Sequence, residues 1–205
     1  MFEEIKHHKK IGLLFTGGAD SALLGYLLLK HTNAKIYPIC YDIIEKPFQK
    51  NKAHDVLNQI EMLMGDRFEP ITISKPIYMD QMLTDDNILL YDLYKNEKIQ
   101  CHVKGTTANP PKGFYVEDLS HPTRPHDRDL EGMTRTISSS YKFKDVTMMR
   151  YSPFFNKDKK YIHQLYKQNG ILNTLFPTTV SCTYQPYNCG TCWWCEERKW
   201  GFGRV

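Results

Sequence analysis

The sequence has no apolar run close to the roughly 20 residues that a membrane-spanning helix needs. Its longest such stretch, residues 22–29, is short and amphipathic. The charged N-terminal residues 1–10 lead into an apolar strand, without the hydrophobic region and small-residue cleavage site of a signal peptide. We therefore expect a cytoplasmic protein that makes no contact with a membrane.

The chain also has little excess charge of either sign. Its 27 Lys and Arg residues face 23 Asp and Glu residues, which gives a net charge of +4. This excess is too small to indicate nucleic-acid binding by itself, although it suits an anionic nucleotide. No internal repeat or low-complexity tract occurs, and 41% of the 205 residues are hydrophobic. The composition therefore indicates one sizeable globular domain with a small appendage.

Strand-like and helical segments alternate in the first part of the chain. Short apolar runs predict strands over residues 10–15, 35–42 and 69–74, and the helical spacing of apolar residues predicts helices over 20–31 and 51–65. This order is typical of an α/β fold with a doubly wound, mostly parallel sheet and right-handed crossovers. Later patterns predict helices over 78–98 and 157–169, and strands over 99–105 and 147–151.

A polar stretch without clear periodicity, residues 106–136, follows the fourth predicted strand. A loop of that length in a compact domain is usually mobile or functional. Its basic part, residues 121–128, either folds over a substrate as a lid or remains a solvated surface loop.

The first predicted strand ends in a glycine-rich turn that runs into a helix. Its residues are Phe15, Thr16, Gly17, Gly18, Ala19, Asp20 and Ser21. Paired glycines let a backbone turn sharply and approach a ligand, and N–H groups at the start of a helix attract anions. The turn matches neither the GxxxxGKS/T nor the GxGxxG motif. It predicts a pyrophosphate site, with an ordinary glycine turn as the alternative.

More specific roles are expected for Asp20 in this turn and for Tyr41 at the end of the second predicted strand. Because Asp20 is acidic, it cannot donate to a phosphate, and we expect it to cap the helix or to help place Mg²⁺. Residues 39–42 at the end of the second predicted strand, including Tyr41, either contact adenine or simply pack in the core.

Six cysteines occur, and four of them fall within fourteen residues near the C-terminus. Cys182, Cys189, Cys192 and Cys195 have the short spacings of a tetrahedral site, so they predict a structural Zn²⁺ with no open coordination position. An iron–sulfur cluster also takes four cysteines and is the main alternative. The adjacent Trp193 and Trp194 either pack this segment onto the domain or offer a stacking platform.

The glycine turn resembles the PP-loop, SGGxDS, of the N-type ATP pyrophosphatases, with Thr16 in the place of the first serine. In that superfamily the loop holds the β,γ-pyrophosphate of ATP and leaves the α-phosphate open to attack, which forms an adenylate. The resemblance therefore implies ATP and Mg²⁺ binding by residues 15–21, with an adenine contact at Tyr41. It also implies roles for Asp20 and Ser21 in catalysis.

A second resemblance involves both ends of the chain. Ser181, the four clustered cysteines, Gly190, Arg198 and Phe202 are similar to the C-terminal motif of 7-cyano-7-deazaguanine synthases, and residues 153–159 fall where that family has its P-L-x-x-x-x-K segment. This implies an ATP-dependent carbon–nitrogen ligase of queuosine-type nucleoside biosynthesis. Its substrates would be 7-carboxy-7-deazaguanine and ammonia, and its product the nitrile or the intermediate amide. Lys159 would neutralise phosphate charge, unless it is an exposed helix lysine.

On this interpretation residues 1–177 form the ATP-binding domain and residues 178–205 a zinc-binding segment of the same globular unit. The expected partners are small molecules, and a homodimer is left open. Direct nucleic-acid binding is not expected, because no separate RNA-binding domain is evident. The middle of the chain lacks the family's Pro-x-Arg-Asn and Tyr-Pro-Asp-Cys segments. The expected substrate is therefore based only on the resemblance at the two ends of the chain.

Three other functions fit parts of the pattern. A PP-loop enzyme that modifies tRNA or a protein would use Cys40 or Cys101, at the ends of two predicted strands. A sulfonucleotide reductase would use a cysteine of the C-terminal group. A non-catalytic module would bind ATP without turning it over.

Overall fold

The computed structural model describes residues 2–111, 114, 128 and 137–204. Its strands are β1 (Lys10–Leu14), β2 (Lys35–Cys40), β3 (Thr72–Ile73), β4 (Cys101–Lys104), β5 (Ser138–Phe143) and β6 (Val146–Tyr151). Its helices are α1 (Ala19–His31), α2 (Gln49–Met64), α3 (Met82–Lys95), α4 (Lys159–Gln168) and α5 (Trp193–Phe202). Short 3-10 turns cover Met79–Gln81 and Phe176–Thr178.

The strands form one sheet with the order β3-β2-β1-β4-β6-β5. All neighbouring pairs are parallel except β5 and β6, which are antiparallel. The chain winds outward from β1 to β3 and then crosses back to β4 on the other side of β1. The prediction of a doubly wound, mostly parallel α/β fold is therefore confirmed, and the winding direction reverses between β1 and β4.

The two faces of the sheet are covered by different helices. Helices α1, α2, α4 and α5 pack on one face, where Leu13, Leu24 and Ile60 belong to the larger apolar core. Helix α3 packs on the other face, where Leu90 joins Ile39 and Met148 in a smaller core. Strand β1 is buried from both sides, which explains why its sequence is a continuous apolar run.

Helix α4 shows the local signals that define its ends. The Asp158 side chain accepts a hydrogen bond from the N–H of Tyr161 at 2.9 Å and caps the start of the helix. Gly170, with φ of +69°, lies just past its end, in the position that the sequence predicts. The predicted helix over 157–169 therefore has the right type and nearly the right bounds.

Three elements differ from the sequence prediction. No predicted element covers strand β5, whose sequence SSSYKF is mostly polar. It pairs with β6 through a tight turn in which Lys144 takes a φ of +53°, and Phe143 packs against Tyr91 of α3 with ring centres 6.0 Å apart. The predicted third strand over 69–74 also shrinks to Thr72–Ile73.

The third difference is helix α5, since the sequence predicts a loop-rich stretch around the clustered cysteines. Cys192 stands at its N-cap and Gly203, with φ of +72°, at its C-cap. Phe202 stacks on Phe176 at 4.1 Å and belongs to the larger core. The C-terminal segment therefore shares its apolar core with the sheet and helices that precede it.

Within the described ranges, no helix combines the length and apolar character needed to cross a bilayer. The segment 121–128, for which the sequence leaves a lid or a surface loop open, lies outside the described residues except for Arg128.

Candidate functional site

A cavity of about 420 Å³ opens where the winding of the sheet reverses, at the carboxyl ends of β1, β2 and β4. Open α/β sheets bind ligands at this point, because the loops on either side diverge and leave a crevice. The cavity is bordered by six parts of the chain: the turn after β1, the end of β2 with the segment after it, Asp86 of α3, residues 104–106 at the end of β4, Lys159 of α4, and the C-terminal segment with α5. Phe15, Thr16, Gly18, Ala19, Asp20, Ser21, Tyr41 and Lys159 all line it.

Gly17 shapes the turn from behind the cavity. Its φ is +74°, and a Cβ atom there would lie 2.9 Å from the carbonyl carbon and oxygen of Lys52 in α2. Both the backbone conformation and the close approach of α2 therefore require glycine at this position. Gly17 itself does not line the cavity; it sets the course of the residues that do.

The hydroxyl groups of the turn hold it in shape. Thr16 Oγ1 and Ser21 Oγ lie 3.3 Å apart, and the Ser21 hydroxyl donates to the carbonyl of Gly18 at 3.1 Å. Gly18 is the N-cap of α1 and provides no capping side chain. The first N–H groups of a helix have no acceptor within the helix, and here residues 19–21 border the cavity. This geometry suits an anion.

Asp20 does not cap α1, so that part of its expected role is wrong. Its Oδ2 accepts hydrogen bonds from the Lys159 ammonium and from the Thr107 hydroxyl. Its Oδ1 is buried and has no hydrogen-bond partner among the described residues. A carboxylate oxygen without a hydrogen-bond partner, in a residue that lines the cavity, is a group that can accept a hard cation such as Mg²⁺.

Lys159 is buried, with 7% of its surface exposed, which rules out the alternative of an exposed helix lysine. Its Nζ contacts Asp20 and lies 3.8 Å from Oε2 of Glu197 in α5. Glu197 is 1% exposed and also accepts from Arg128 at 3.1 Å. Two cations and two carboxylates thus form a neutral buried network, which we call the Lys159 network.

Close backbone contacts hold the Lys159 network together. A Cβ atom on Gly201 would lie 2.2 Å from Cβ of Lys159, so α5 can approach α4 only because residue 201 is glycine. A Cβ atom on Gly105 would lie 2.9 Å from the carbonyl carbon of Asp20. Sequence reasoning missed Glu197 and Gly201, because their partners are far away in the chain.

The end of β2 combines the two predicted roles. Ile39 is fully buried in the smaller core and also lines the cavity. The Tyr41 hydroxyl donates to Asp86 of α3, and Gln49 Nε2 donates to the Tyr41 carbonyl at 3.2 Å. Burial raises the pKa of Asp86 to about 6, although Lys104 and Arg150 oppose that shift. Core packing and contact with a ligand are therefore compatible here.

Basic side chains surround the cavity. Lys46, Lys52, Lys104 and Lys159 all line it. Burial lowers the pKa of the Lys46 ammonium, which lies 5.9 Å from the centre of the Trp194 ring. A polyanionic ligand would offset the accumulated positive charge.

The four clustered cysteines are brought together as the sequence predicts. Their sulfur atoms all lie within 4.8 Å of one another, with 3.8 Å between Cys182 and Cys192 and 3.9 Å between Cys189 and Cys195. Four sulfurs around one ion, with bonds of about 2.3 Å, lie about 3.8 Å apart in a tetrahedron. The observed spacing fits a single metal ion, and Cys182 also lines the cavity.

Arg198 anchors the segment that leads into this cysteine group. It is 1% exposed, and its guanidinium donates to the Thr179 hydroxyl at 2.8 Å and to the Phe176 carbonyl at 3.0 Å. Val180 donates its N–H to the carbonyl of Gly17 at 3.1 Å. The segment that leads into the four cysteines is thereby connected directly to the glycine turn.

The two remaining cysteines are not suited to nucleophilic chemistry. Cys40 and Cys101 are fully buried, and burial raises the pKa of their thiols to about 11 and about 12. Neither lines the cavity. A reactive cysteine needs an accessible sulfur that ionises readily.

Comparisons with known proteins find structural neighbours only. No protein-family model matches the sequence, and no curated protein matches it. FMN adenylyltransferase from Candida glabrata, solved with FMN and the ATP analog AMPCPP, is 13% identical, with a TM-score of 0.49 over 80% of this chain and 50% of that chain. U34-tRNA thiolase NcsA from Methanococcus maripaludis, solved with its 4Fe-4S cluster, is 14% identical, with a TM-score of 0.50 over 89% of this chain and 63% of that chain.

The chain thus spans 50% of the length of the adenylyltransferase and 63% of the length of the thiolase, which is less than two thirds of either. At such low identity the likeness to the thiolase concerns the fold and nothing finer. The protein therefore has the doubly wound α/β fold that the resemblance of its glycine turn to the PP-loop predicts. It shares this fold with the thiolase.

Proposed function

We propose that the cavity binds ATP and that the protein adenylates a small acceptor. The observation that carries this proposal is the arrangement at the reversal of the sheet. A glycine turn, the start of α1 and a buried lysine border a single cavity of nucleotide size.

In this proposal the β,γ-pyrophosphate lies against the N–H groups at the start of α1. Lys159 neutralises charge that builds up on the phosphates as the pyrophosphate leaves. Asp20 keeps Lys159 in place through Oδ2, and its other oxygen, Oδ1, would hold Mg²⁺, which supplies further charge neutralisation when bound. Adenine would lie near Ile39 and Tyr41.

We further propose that the acceptor is a carboxylate, with 7-carboxy-7-deazaguanine as the candidate from the resemblance at the two ends of the chain. A carboxylate oxygen would attack the α-phosphorus and displace pyrophosphate. Ammonia would then displace AMP and form the amide. The amide oxygen would then attack the α-phosphorus of a second ATP and displace pyrophosphate as the nitrogen loses one proton, and elimination of AMP with the second N–H proton would give the nitrile. The enzyme would thus be a carbon–nitrogen ligase.

Release of AMP and pyrophosphate from Mg²⁺-ATP, with and without 7-carboxy-7-deazaguanine and ammonia, tests the proposal. Lys159→Met should slow acceptor-dependent AMP release by about 10- to 100-fold, because a buried charge-assisted contact contributes about 1.5–3 kcal/mol. Lys160→Met is the matched control, since Lys160 is exposed on the next position of α4. If Lys159→Met and Lys160→Met behave alike, the proposed role of Lys159 is wrong.

We propose Zn²⁺ as the ion of the four-cysteine site. The tetrahedral spacing of the sulfurs supports a single ion, and four thiolates leave no coordination position for a substrate. Such an ion would hold the C-terminal segment in place and take no part in the reaction. Metal analysis of protein purified without added metal should give one zinc per chain, and stoichiometric iron with sulfide would contradict it.

One observation favours a second candidate, a thiolation reaction that also begins with adenylation. Cys182 borders the nucleotide cavity, so a cluster held by the four cysteines would lie beside the activated acceptor. The fold is shared with a tRNA thiolase that carries a 4Fe-4S cluster. The short distances between sulfurs disfavour it, because a four-iron cluster separates its cysteine sulfurs more widely than one ion does. Iron in the purified protein and sulfur transfer to tRNA would favour this candidate.

A further inference from the structure

Arg128 is bound to the segment that follows β4. Its Nε donates to the Thr107 carbonyl at 2.7 Å, and its own carbonyl accepts from the N–H of Asn109 at 2.8 Å. Thr107 and Asn109 are both buried. The N–H of Ala108, between them, donates to the carbonyl of Lys157 just before α4. The backbone and the side chain of Arg128 are therefore both fixed on a buried part of the chain beside the start of α4.

The guanidinium of Arg128 contacts one of the two carboxylates of the Lys159 network directly. Its Nη2 donates to Oε1 of Glu197 at 3.1 Å, while the other oxygen, Oε2, lies 3.8 Å from the Lys159 ammonium. Each oxygen of this buried carboxylate therefore faces its own cation. Because Arg128 is present, Lys159 does not have to neutralise Glu197 alone.

Arg128 reaches the other carboxylate, that of Asp20, through a hydroxyl group. Its Nη2 also donates to Thr107 Oγ1 at 3.2 Å. A guanidinium can only donate, so the single proton of the Thr107 hydroxyl is left for Oδ2 of Asp20 at 3.4 Å. The Lys159 ammonium contacts the same carboxylate oxygen. Arg128 thus holds one anionic partner of Lys159 and orients a group that binds the other.

Without Arg128, the network would keep one positive and two negative charges. Asp20, Glu197 and Lys159 all line the nucleotide cavity, whereas Arg128 and Thr107 do not belong to the described residues that line it. A net negative charge would then face the place where the triphosphate is proposed to bind, and a partly buried site screens such repulsion poorly. Glu197 would also have Lys159 as its remaining cation and would draw the ammonium away from Asp20.

We propose that Arg128 is a positioning residue for the adenylation reaction. It neutralises Glu197 and orients the Thr107 hydroxyl. The Lys159 ammonium thereby stays beside Asp20, where it can reach the phosphates of ATP. The inference rests on the proposed function and goes beyond it, because Arg128 acts from outside the cavity through both carboxylates that hold Lys159.

The test measures the affinity for a non-hydrolysable ATP analogue, with a methylene group between its α- and β-phosphates, by calorimetry in the presence of Mg²⁺. Arg128→Met keeps most of the side-chain length and removes the charge, so the analogue should bind about 10- to 100-fold more weakly than to wild type. Arg204→Met is the matched control and should bind like wild type. Arg204 is exposed just past the end of α5 and donates to the Leu172 carbonyl at 3.1 Å.

A second substitution separates the charge of Arg128 from a purely structural role. Adding Glu197→Gln to Arg128→Met leaves only Lys159 and Asp20 charged, so the network is neutral again. The double variant should therefore bind the analogue within about threefold of wild type. A residue needed only for folding would leave the double variant at least as weak as Arg128→Met, because two buried contacts would be lost.

Circular dichroism shows whether each variant is folded at the temperature of the titration. Arg128→Gln, which loses the charge but can still donate a hydrogen bond, replaces Arg128→Met if that variant does not fold, with the same expected loss and the same rescue. The inference is wrong if the uncharged variant binds the analogue like wild type, or if Glu197→Gln does not restore its binding. If wild-type protein does not bind the analogue, the proposed function fails instead.

Discussion

Replacing Glu197 with glutamine removes one charge from the Lys159 network without opening a cavity, since the two side chains have nearly the same shape. The four charged groups of the network sum to zero, so the variant keeps one uncompensated positive charge. Both Glu197 and Lys159 are buried, at 1% and 7% exposure. Breaking a buried ion pair by removing one partner costs about 3–5 kcal/mol.

The lower end of that range applies here, for two reasons. The glutamine carbonyl can still accept from Arg128, which contacts Glu197 at 3.1 Å and keeps 17% of its side chain exposed. Lys159 also retains Asp20. A loss of about 3 kcal/mol, at about 2–4 °C per kcal/mol for a chain of this size, lowers the melting temperature by about 6–12 °C.

Thermal and urea denaturation followed by circular dichroism would measure this change. Glu196→Gln is the matched control, because Glu196 is the preceding residue of α5 and forms only a half-exposed pair with Lys199 at 4.0 Å. Such surface pairs contribute at most about 1 kcal/mol. Adding Lys159→Met to Glu197→Gln should cost less than the sum of the two single changes, since the pair is coupled. Equal melting temperatures for Glu197→Gln and Glu196→Gln would refute the assignment of a buried network.

Three further predictions concern the turn, the metal and the Asp86 carboxyl that lines the cavity. Gly17→Ala should destabilise the protein by about 1–3 kcal/mol more than Gly170→Ala, because both positions have φ near +70° but only the first would push a Cβ against α2. ATP affinity, measured by calorimetry, should fall only for Gly17→Ala. Stripping the metal with a chelator should expose residues 178–204 to limited proteolysis and weaken ATP binding, with both restored by Zn²⁺; unchanged protection would contradict this. Asp86 has a folded pKa near 6 against an ordinary 3.8, so its ionisation costs stability as pH rises from about 4 to 6. Asp86→Asn should therefore gain stability relative to wild type over that interval in urea titrations at stepped pH, and parallel curves would show that burial of this carboxyl is not the cause.

The sequence predicts the fold through features that are local in the chain. The apolar run of β1, the glycine turn and the periodicity of α1 each lie within a few residues, and together they fix the order of elements. Strand β5 escapes prediction because its stability comes from pairing with β6 and from the contact of Phe143 with α3. Helix α5 escapes because its cysteine-rich start looks like a metal loop, although a helix can supply Cys195 from its first turn.

The same distinction applies to the cavity. Residues 15–21 are recognisable because a paired-glycine turn that leads into a helix is built from adjacent residues. Lys159 has two lysine neighbours in sequence, and no local pattern separates it from Lys160. Helix α5 packs against it, and that close approach depends on Gly201, forty-two positions further along the chain. Glu197 has no motif at all, since its partners come from α4 and residue 128.

The C-terminal segment contacts the cavity near the N-terminal glycine turn through helix α5 and the residues that precede the cysteines. Cys192 and Cys195 fix the first turn of α5, and Glu197 lies two residues after Cys195 in the same helix. A metal held by the four cysteines would therefore determine where the Glu197 carboxylate stands, and through it the position of the Lys159 ammonium beside Asp20. Arg198 holds the chain before the cysteines through hydrogen bonds to Thr179 and Phe176, and the Val180 N–H attaches that same stretch to the glycine turn. On the proposed function, a structural metal would support the charge arrangement of the cavity without touching the nucleotide, which would account for a four-cysteine site so close to it.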